Sequence, residues 1–106
     1  MHRIKLTVAY DGTNYCGWQV QPNGVSVQSI LQKAIENLLG EKTDVTGASR
    51  TDSGVHALGQ VVVFDTKKNI PDWKYALAIN QRLPKDIVVQ KSEEVPLDFQ
   101  IGRAHV

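Results

Sequence analysis

Three stretches of the sequence predict an α+β domain of order β-α-β-β-α-β. Residues 3–10 alternate apolar and polar side chains, residues 27–39 repeat apolar ones at helical spacing, and residues 59–66 run almost continuously apolar and β-branched. These are the signatures of a half-buried strand, an amphipathic helix and a sheet-interior strand. A chain of 106 residues has room for one domain around a single modest core.

In chain order, Ile4, Leu6, Val8 and Tyr10 share one face of the first strand, and Arg3, Lys5 and Thr7 the other. Asp11-Gly12 breaks the alternation. The loop from Thr13 to Gly24 carries Tyr15 and Trp18, large groups for a connector, and Pro22-Asn23-Gly24 closes it as a turn. Val27, Ile30, Leu31, Ala34, Ile35, Leu38 and Leu39 then form one apolar stripe, with Ser26 placed to cap its start and Gly40 its end. Lys42 to Ala48 reads as a short strand whose one large apolar residue is Val45. Gly59 to Thr66 reads as a strand covered on both faces, and Lys67-Lys68-Asn69 as a solvated turn. Pro71-Asp72 opens a second helix with Trp73, Ala76, Leu77 and Leu83 inward, and Pro84 stops it. Asp86 to Val95 is a last strand through Ile87 and Val89. The order is that of the ferredoxin-like split βαβ, an antiparallel sheet with two helices on one face. No internal repeat, linker or low-complexity segment interrupts it.

Composition narrows the class. At 42% hydrophobic and 22% charged residues the chain reads as an ordinary soluble globular protein. Cys16 is the only cysteine, which excludes an internal disulfide and any multi-cysteine metal site and suits a reducing compartment. No apolar run is long enough to cross a bilayer, and Met-His-Arg-Ile-Lys at the start lacks a signal-peptide core, so a cytoplasmic location is expected. A net charge of +1 leaves nucleic-acid binding undecided.

The chemistry is concentrated between the second and third strands, from Gly47 to Gln60. Here an arginine, an aspartate, a histidine and three hydroxyls lie between two strand-like runs. Arg50 and Asp52, two apart, project from the same face of an extended segment. An arginine that close keeps a carboxylate ionised, and an ionised carboxylate serves as nucleophile or base. The amides of Ser53, Gly54 and Val55 are placed to hold it, and Gly54 opens backbone angles closed to other residues. By itself, Arg-x-Asp in a turn is more often a structural ion pair, and a lone His56 more often a structural histidine. No second histidine, cysteine or carboxylate stands at ligand spacing from His56, so no metal is expected. Tyr15 and Trp18 either stack on bases or anchor their loop.

Four blocks in register resemble the tRNA pseudouridine synthase A family over residues 3 to about 99. They are Tyr10-Asp11-Gly12-Thr13-Asn14-Tyr15-Cys16-Gly17-Trp18-Gln19 with Gln21-Pro22; Val27-Gln28; Arg50-Thr51-Asp52-Ser53-Gly54-Val55-His56-Ala57-Leu58-Gly59-Gln60-Val61 with Phe64-Asp65-Thr66; and Leu83-Pro84-Lys85-Asp86-Ile87 with Val95-Pro96 and Phe99. The resemblance implies isomerisation of uridine to pseudouridine in the anticodon stem-loop of tRNA, at positions 38–40. It implies Asp52 as nucleophile and Arg50 as the residue that positions the flipped nucleotide and pairs with the aspartate. Substrate contacts are then expected from Thr51, Ser53, Gly54, Val55, His56 and Gln60, and from Asp11, Gly12, Tyr15 and Trp18. Neither metal nor organic cofactor is implied. tRNA is the implied partner, and the implied assembly is a homodimer. Lys67, Lys68 and Arg82 are candidates for phosphate contact.

Two internal positions depart from the family pattern: Ser53 stands where alanine is usual, and Val63 where histidine is frequent. After Phe99 the family continues with a His-Ala-Arg-Phe-like stretch and a tyrosine that stacks on the uracil, then a second, similar half that supplies a basic partner for the aspartate. Here Gln100-Ile101-Gly102-Arg103-Ala104-His105-Val106 follows instead, and its last six residues are what one frame of a common sequencing-adapter oligonucleotide encodes. The expected division is therefore an N-terminal catalytic half-domain at 1–99 and a non-family tail at 100–106, left by truncation or by an adapter. Two other readings fit fewer residues. A ferredoxin-like RNA-binding or dimerisation module would need no chemistry. A retroviral-type aspartic protease would use Asp52-Ser53-Gly54, but such enzymes are mostly β and carry an apolar strand before that signature.

Overall fold

The middle of the sheet is β1 (His2–Tyr10), flanked by β3 (Ala57–Thr66) and β4 (Ile87–Val95), with the two-residue β2 (Thr46–Gly47) beyond β3. The order β2-β3-β1-β4, with every pairing antiparallel, is the ferredoxin-like arrangement. Two helices, α1 (Val27–Leu39) and α2 (Lys74–Asn80), complete it. This computed structural model describes residues 1–19, 24–48, 54 and 56–101.

Strand alternation decides which face the core occupies. Ile4, Leu6, Val8 and Tyr10 are buried, as are their neighbours Phe64 and Val62 on β3 and Ile87 and Val89 on β4. Against them α1 lays Val27, Leu31, Ala34, Ile35 and Leu39, the stripe that its spacing predicts. Its ends are as expected too. The Ser26 hydroxyl accepts the Ser29 N–H at 3.1 Å, and Gly40 takes φ +72°, the left-handed turn that a side chain resists. Ser26→Ala is expected to cost about 0.5–2 kcal/mol. That loss should show as a lower denaturant midpoint at unchanged slope.

The opposite face of the sheet carries no helix among the described residues. Arg3, Lys5 and Thr7 lie there, opposite Asp65, Val63 and Val61 of β3. β3 is therefore covered only in part on this face, not continuously as its apolar run had suggested: Val63 is buried, Val61 is half-buried and Asp65 is exposed. A turn after β4 reaches over one end of this face. The Arg3 guanidinium donates to both Asp65 oxygens, at 2.8 and 3.0 Å, and to the Phe99 carbonyl at 2.6 Å. Lys5 sits 5.7 Å from the centre of the Phe99 ring.

Two expectations for the second half change. Trp73 and Leu77 are both 60% exposed, and α2 instead buries Tyr75 and Ile79. The Tyr75 ring meets Phe64 edge-on at 5.6 Å, which fixes that phase. On β4, Lys91 pairs with Thr7 and Val89 with Val8, so Gln90 is an extra residue and the inward phase shifts to Ser92. The buried Ser92 hydroxyl accepts the Ala76 N–H at 2.9 Å and donates to the Asp72 carbonyl at 2.6 Å, capping from across the sheet a helix whose own N-cap makes no side-chain bond. Asn80 at the far end of α2 donates to the Val89 carbonyl and accepts the Val89 N–H, at 2.9 and 2.7 Å. The short strand expected over 42–48 is reduced to Thr46–Gly47, while Val45 is buried just before it.

Candidate active site

Where β1 ends, the chain is tied to the beginning of β4. The Asp11 N–H donates to the Asp86 carbonyl at 2.9 Å, and the buried Tyr15 hydroxyl donates to the Asp86 carboxylate at 2.5 Å. Between them Gly12–Asn14 forms a single 3-10 turn, capped by Asp11, whose Oδ1 accepts the Thr13 hydroxyl at 2.6 Å and its N–H at 3.0 Å. Those two donations hold the Asp11 carboxyl below its ordinary range, and the nearby His56 adds to the effect.

The turn then meets the stretch that the sequence singles out. The Gly54 N–H donates to the Tyr15 carbonyl at 3.2 Å, and the Gly12 N–H donates to His56 Nδ1 at 2.9 Å. Gly54 sits at φ +78°, in the region that favours glycine. On the other side, the Ala48 N–H donates to the Val61 carbonyl at 2.9 Å, continuing β2's contact with β3. Arg50, Thr51, Asp52, Ser53 and Val55 lie outside the described residues.

Beside these anchors opens a cleft of about 440 Å³ lined by Ala9, Tyr10, Asp11, His56, Ala57, Leu58, Lys85, Asp86 and Val88. Leu58 is 88% exposed and Val88 43%, so apolar surface lies open beside an aspartate pair, a lysine and a histidine. Such a mixture suits a flat, partly polar ring better than a small ion. Among the described residues no cluster of three or more histidine, cysteine or carboxylate groups could hold a metal ion. No helix there is long and apolar enough to cross a membrane.

The remaining predicted contacts divide. Asp11, Gly12, Gly54 and His56 come together as described. Trp18 does not offer a ring to a base: it is 2% exposed, stacks on Tyr10 with centroids 6.4 Å apart, and lies against Gly47. Tyr15 is likewise an anchor, spent on Asp86. Gln60 is buried on the helix-facing side, opposite Val8, and not on the open face. Arg82 donates to Asn37 and to the Ala78 carbonyl, so it ties helix residues together, whereas Lys67 and Lys68 are exposed. Sequence reading missed Lys85 and Asp86 as cleft residues. Their only signal was a place in a family block before the last strand.

Burial and the Asp86 carboxylate push the Tyr15 phenol well above its ordinary value of 10. A raised acid stabilises the fold while protonated, so Tyr15's contribution is complete below pH 10 and is lost as pH rises above it. Tyr15→Phe is expected to cost about 1–3 kcal/mol at neutral pH, and to flatten the loss of stability between neutral and strongly alkaline solution. Urea unfolding at several pH values measures both.

The domain is α+β, and the cleft between the β1 turn and the start of β4 opens where the sheet carries no helix among the described residues. A model of the tRNA pseudouridine synthase family matches residues 6–102, and the chain belongs to that family. It is 58% identical over 99 residues to tRNA pseudouridine synthase A of Ruminiclostridium cellulolyticum, covering 93% of this chain and 40% of that protein. Against the enzymes of the same name from Acetivibrio thermocellus and Clostridium acetobutylicum the identities are 54% and 56%, each covering 93% of this chain and 41% of theirs. The chain thus spans about two fifths of the length of these curated relatives.

Proposed function

We propose that this chain is the Asp52-bearing part of a tRNA pseudouridine synthase that isomerises uridine in the anticodon stem-loop, at positions 38–40. The observation that carries the reading is the family match over residues 6–102, a span that includes Arg50-Thr51-Asp52. Residues 1–99 are the N-terminal catalytic half-domain in this proposal and 100–106 a non-family tail. The family match reaches residue 102, three past that boundary.

In the reaction the N1–C1′ bond of uridine breaks, the uracil turns, and a C5–C1′ bond forms. The C5 hydrogen leaves as a proton and N1 gains one, so the net change is isomerisation. Breaking the glycosidic bond develops oxocarbenium-like charge at C1′, which the Asp52 carboxylate is suited to trap or stabilise. Arg50 keeps that carboxylate ionised and steers the nucleotide, which must leave its stack to be reached. Gly54 and His56, two and four residues beyond Asp52, are fastened beside the open cleft, which supports placing the flipped base there. Thr51, Ser53 and Val55 complete the rim. Assembly as a homodimer, tRNA bridging both subunits and a cytoplasmic location belong to the same reading.

Tritium release from tRNA carrying 5-tritiated uridine tests it. Release that depends on Asp52 supports the enzyme. No release from either this chain or a protein of the relatives' length would instead favour a non-catalytic RNA-binding module. The protease reading has lost its ground, because the helices and the family match both oppose it.

A further inference from the structure

His56 has no chemical task in the reaction above, yet it stands at a contested position. Its Nδ1 lies 2.9 Å from the Gly12 nitrogen and 3.2 Å from Asp11 Oδ1. The two neighbours make opposite demands. A backbone N–H only donates, so Gly12 needs a bare Nδ1; a carboxylate only accepts, so Asp11 needs a protonated one. The ring satisfies one at a time. As a neutral imidazole with its proton on Nε2 it holds Gly12. As an imidazolium it releases Gly12 and turns its Nδ1–H to Asp11, whose Oδ1 already accepts twice from Thr13.

Gly12 is buried, so its N–H has no ready replacement in water. The second stitch between the two segments, Gly54 N–H to the Tyr15 carbonyl, is longer at 3.2 Å. Among the described residues, the other charges lining the cleft with the ring come from the turn before β4. Lys85 opposes an imidazolium, while Asp86, which favours one, is already engaged by Tyr15.

We propose that His56 is a positioning residue: its neutral Nε2–H form fastens the chain four residues beyond Asp52 to the Gly12 amide, and protonation undoes that fastening. The inference rests on Asp52 being the reacting group, as proposed above. It assigns to the His56 ring, on the rim of the cleft, a protonation-dependent hold on the chain just beyond that group.

The test uses the isotope-labelled chain in solution. Ring nitrogen shifts report which nitrogen is bare, and exchange protection at the Gly12 and Gly54 amides reports the fastening. In the neutral ring Nδ1 is expected to be bare and hydrogen-bonded. As the ring protonates, Gly12 protection should fall about tenfold, the worth of one ordinary hydrogen bond, and Gly54 should follow. His56→Asn carries an acceptor oxygen where Nδ1 sits and does not titrate, so its Gly12 protection should stay level with pH. His56→Ala should be unprotected throughout; if that variant fails to fold, the wild-type titration and His56→Asn still decide. A neutral ring that carries its proton on Nδ1, or equal Gly12 protection with the ring charged and neutral, overturns the proposal. In a protein of the relatives' length, His56→Asn should also remove an acid-side fall from the pH profile of kcat. Asp52→Asn that retains activity would remove Asp52 as the reacting group and leave the amide result standing, so the two failures are distinguishable.

Discussion

Asp52→Asn is expected to stop tritium release from 5-tritiated uridine in tRNA, with kcat/KM falling on the order of 10⁴-fold or more. A carboxamide keeps the shape of the side chain and one of its two acceptor oxygens, but neither its charge nor its nucleophilicity. It therefore removes what the developing charge at C1′ needs and leaves binding largely intact. The measurement belongs in a protein of the relatives' full length, alongside the unaltered enzyme and a thermal melt. A melt unchanged within a degree or two with activity gone supports a chemical role. Activity within tenfold of the parent would remove Asp52 from the mechanism, and a collapsed melt would recast Arg50 and Asp52 as the structural pair that their spacing alone suggests.

The largest effect on stability is expected at Trp18. Its indole is 2% exposed, stacks on Tyr10, and lines a small pocket with Gln28, Val45 and Gly47. The surrounding backbone is fixed, because the Trp18 carbonyl accepts the Gln28 N–H at 2.9 Å and the Gln28 side chain donates to the Val45 carbonyl at 2.7 Å. A site held so firmly closes poorly over a void, and Trp18→Ala is expected to cost about 3–5 kcal/mol. In a domain of this size each lost kcal/mol lowers Tm by about 4–8 °C. Gly47 supplies the control. A Cβ there would lie 2.5 Å from the indole, so Gly47→Ala alone overpacks and costs about 1–3 kcal/mol. In the double variant the added methyl enters the space that Trp18 left, and the two losses should sum to less than their separate values. Simple additivity would show that the indole and Gly47 do not share that space.

How much of this was legible in the sequence depends on how local the cause is. β1 and α1 were readable because one face of each meets a continuous core, so period and burial coincide. α2 offered two apolar pairs at helical spacing, Trp73 with Leu77 and Tyr75 with Ile79, and seven residues are too few for periodicity to choose between them. The choice was made by Phe64, distant in sequence, against which Tyr75 packs. The extra residue at Gln90 in β4 was hidden for the same reason, since a bulge is defined only against its partner strand. At the site, the polar island was plain, and Asp11-Gly12 was read as a turn. What joins them is a bond between a glycine amide and a histidine nitrogen from separate segments, and no local pattern announces such a bond. Tyr15 and Trp18 show the converse. Their size marked the loop as more than a connector, but only burial shows that they hold it in place.

Asn80 has a consequence beyond joining α2 to the sheet. β4 lies at the margin of the sheet, where an unpaired row of backbone groups would invite a strand from another molecule. The Asn80 amide occupies both groups of Val89 there, and Asp72 accepts the Glu94 N–H at 3.1 Å. A would-be intruder must first displace bonds that the molecule has already made to itself. The side chains that dock the helix thus also act as a guard against aggregation along that margin.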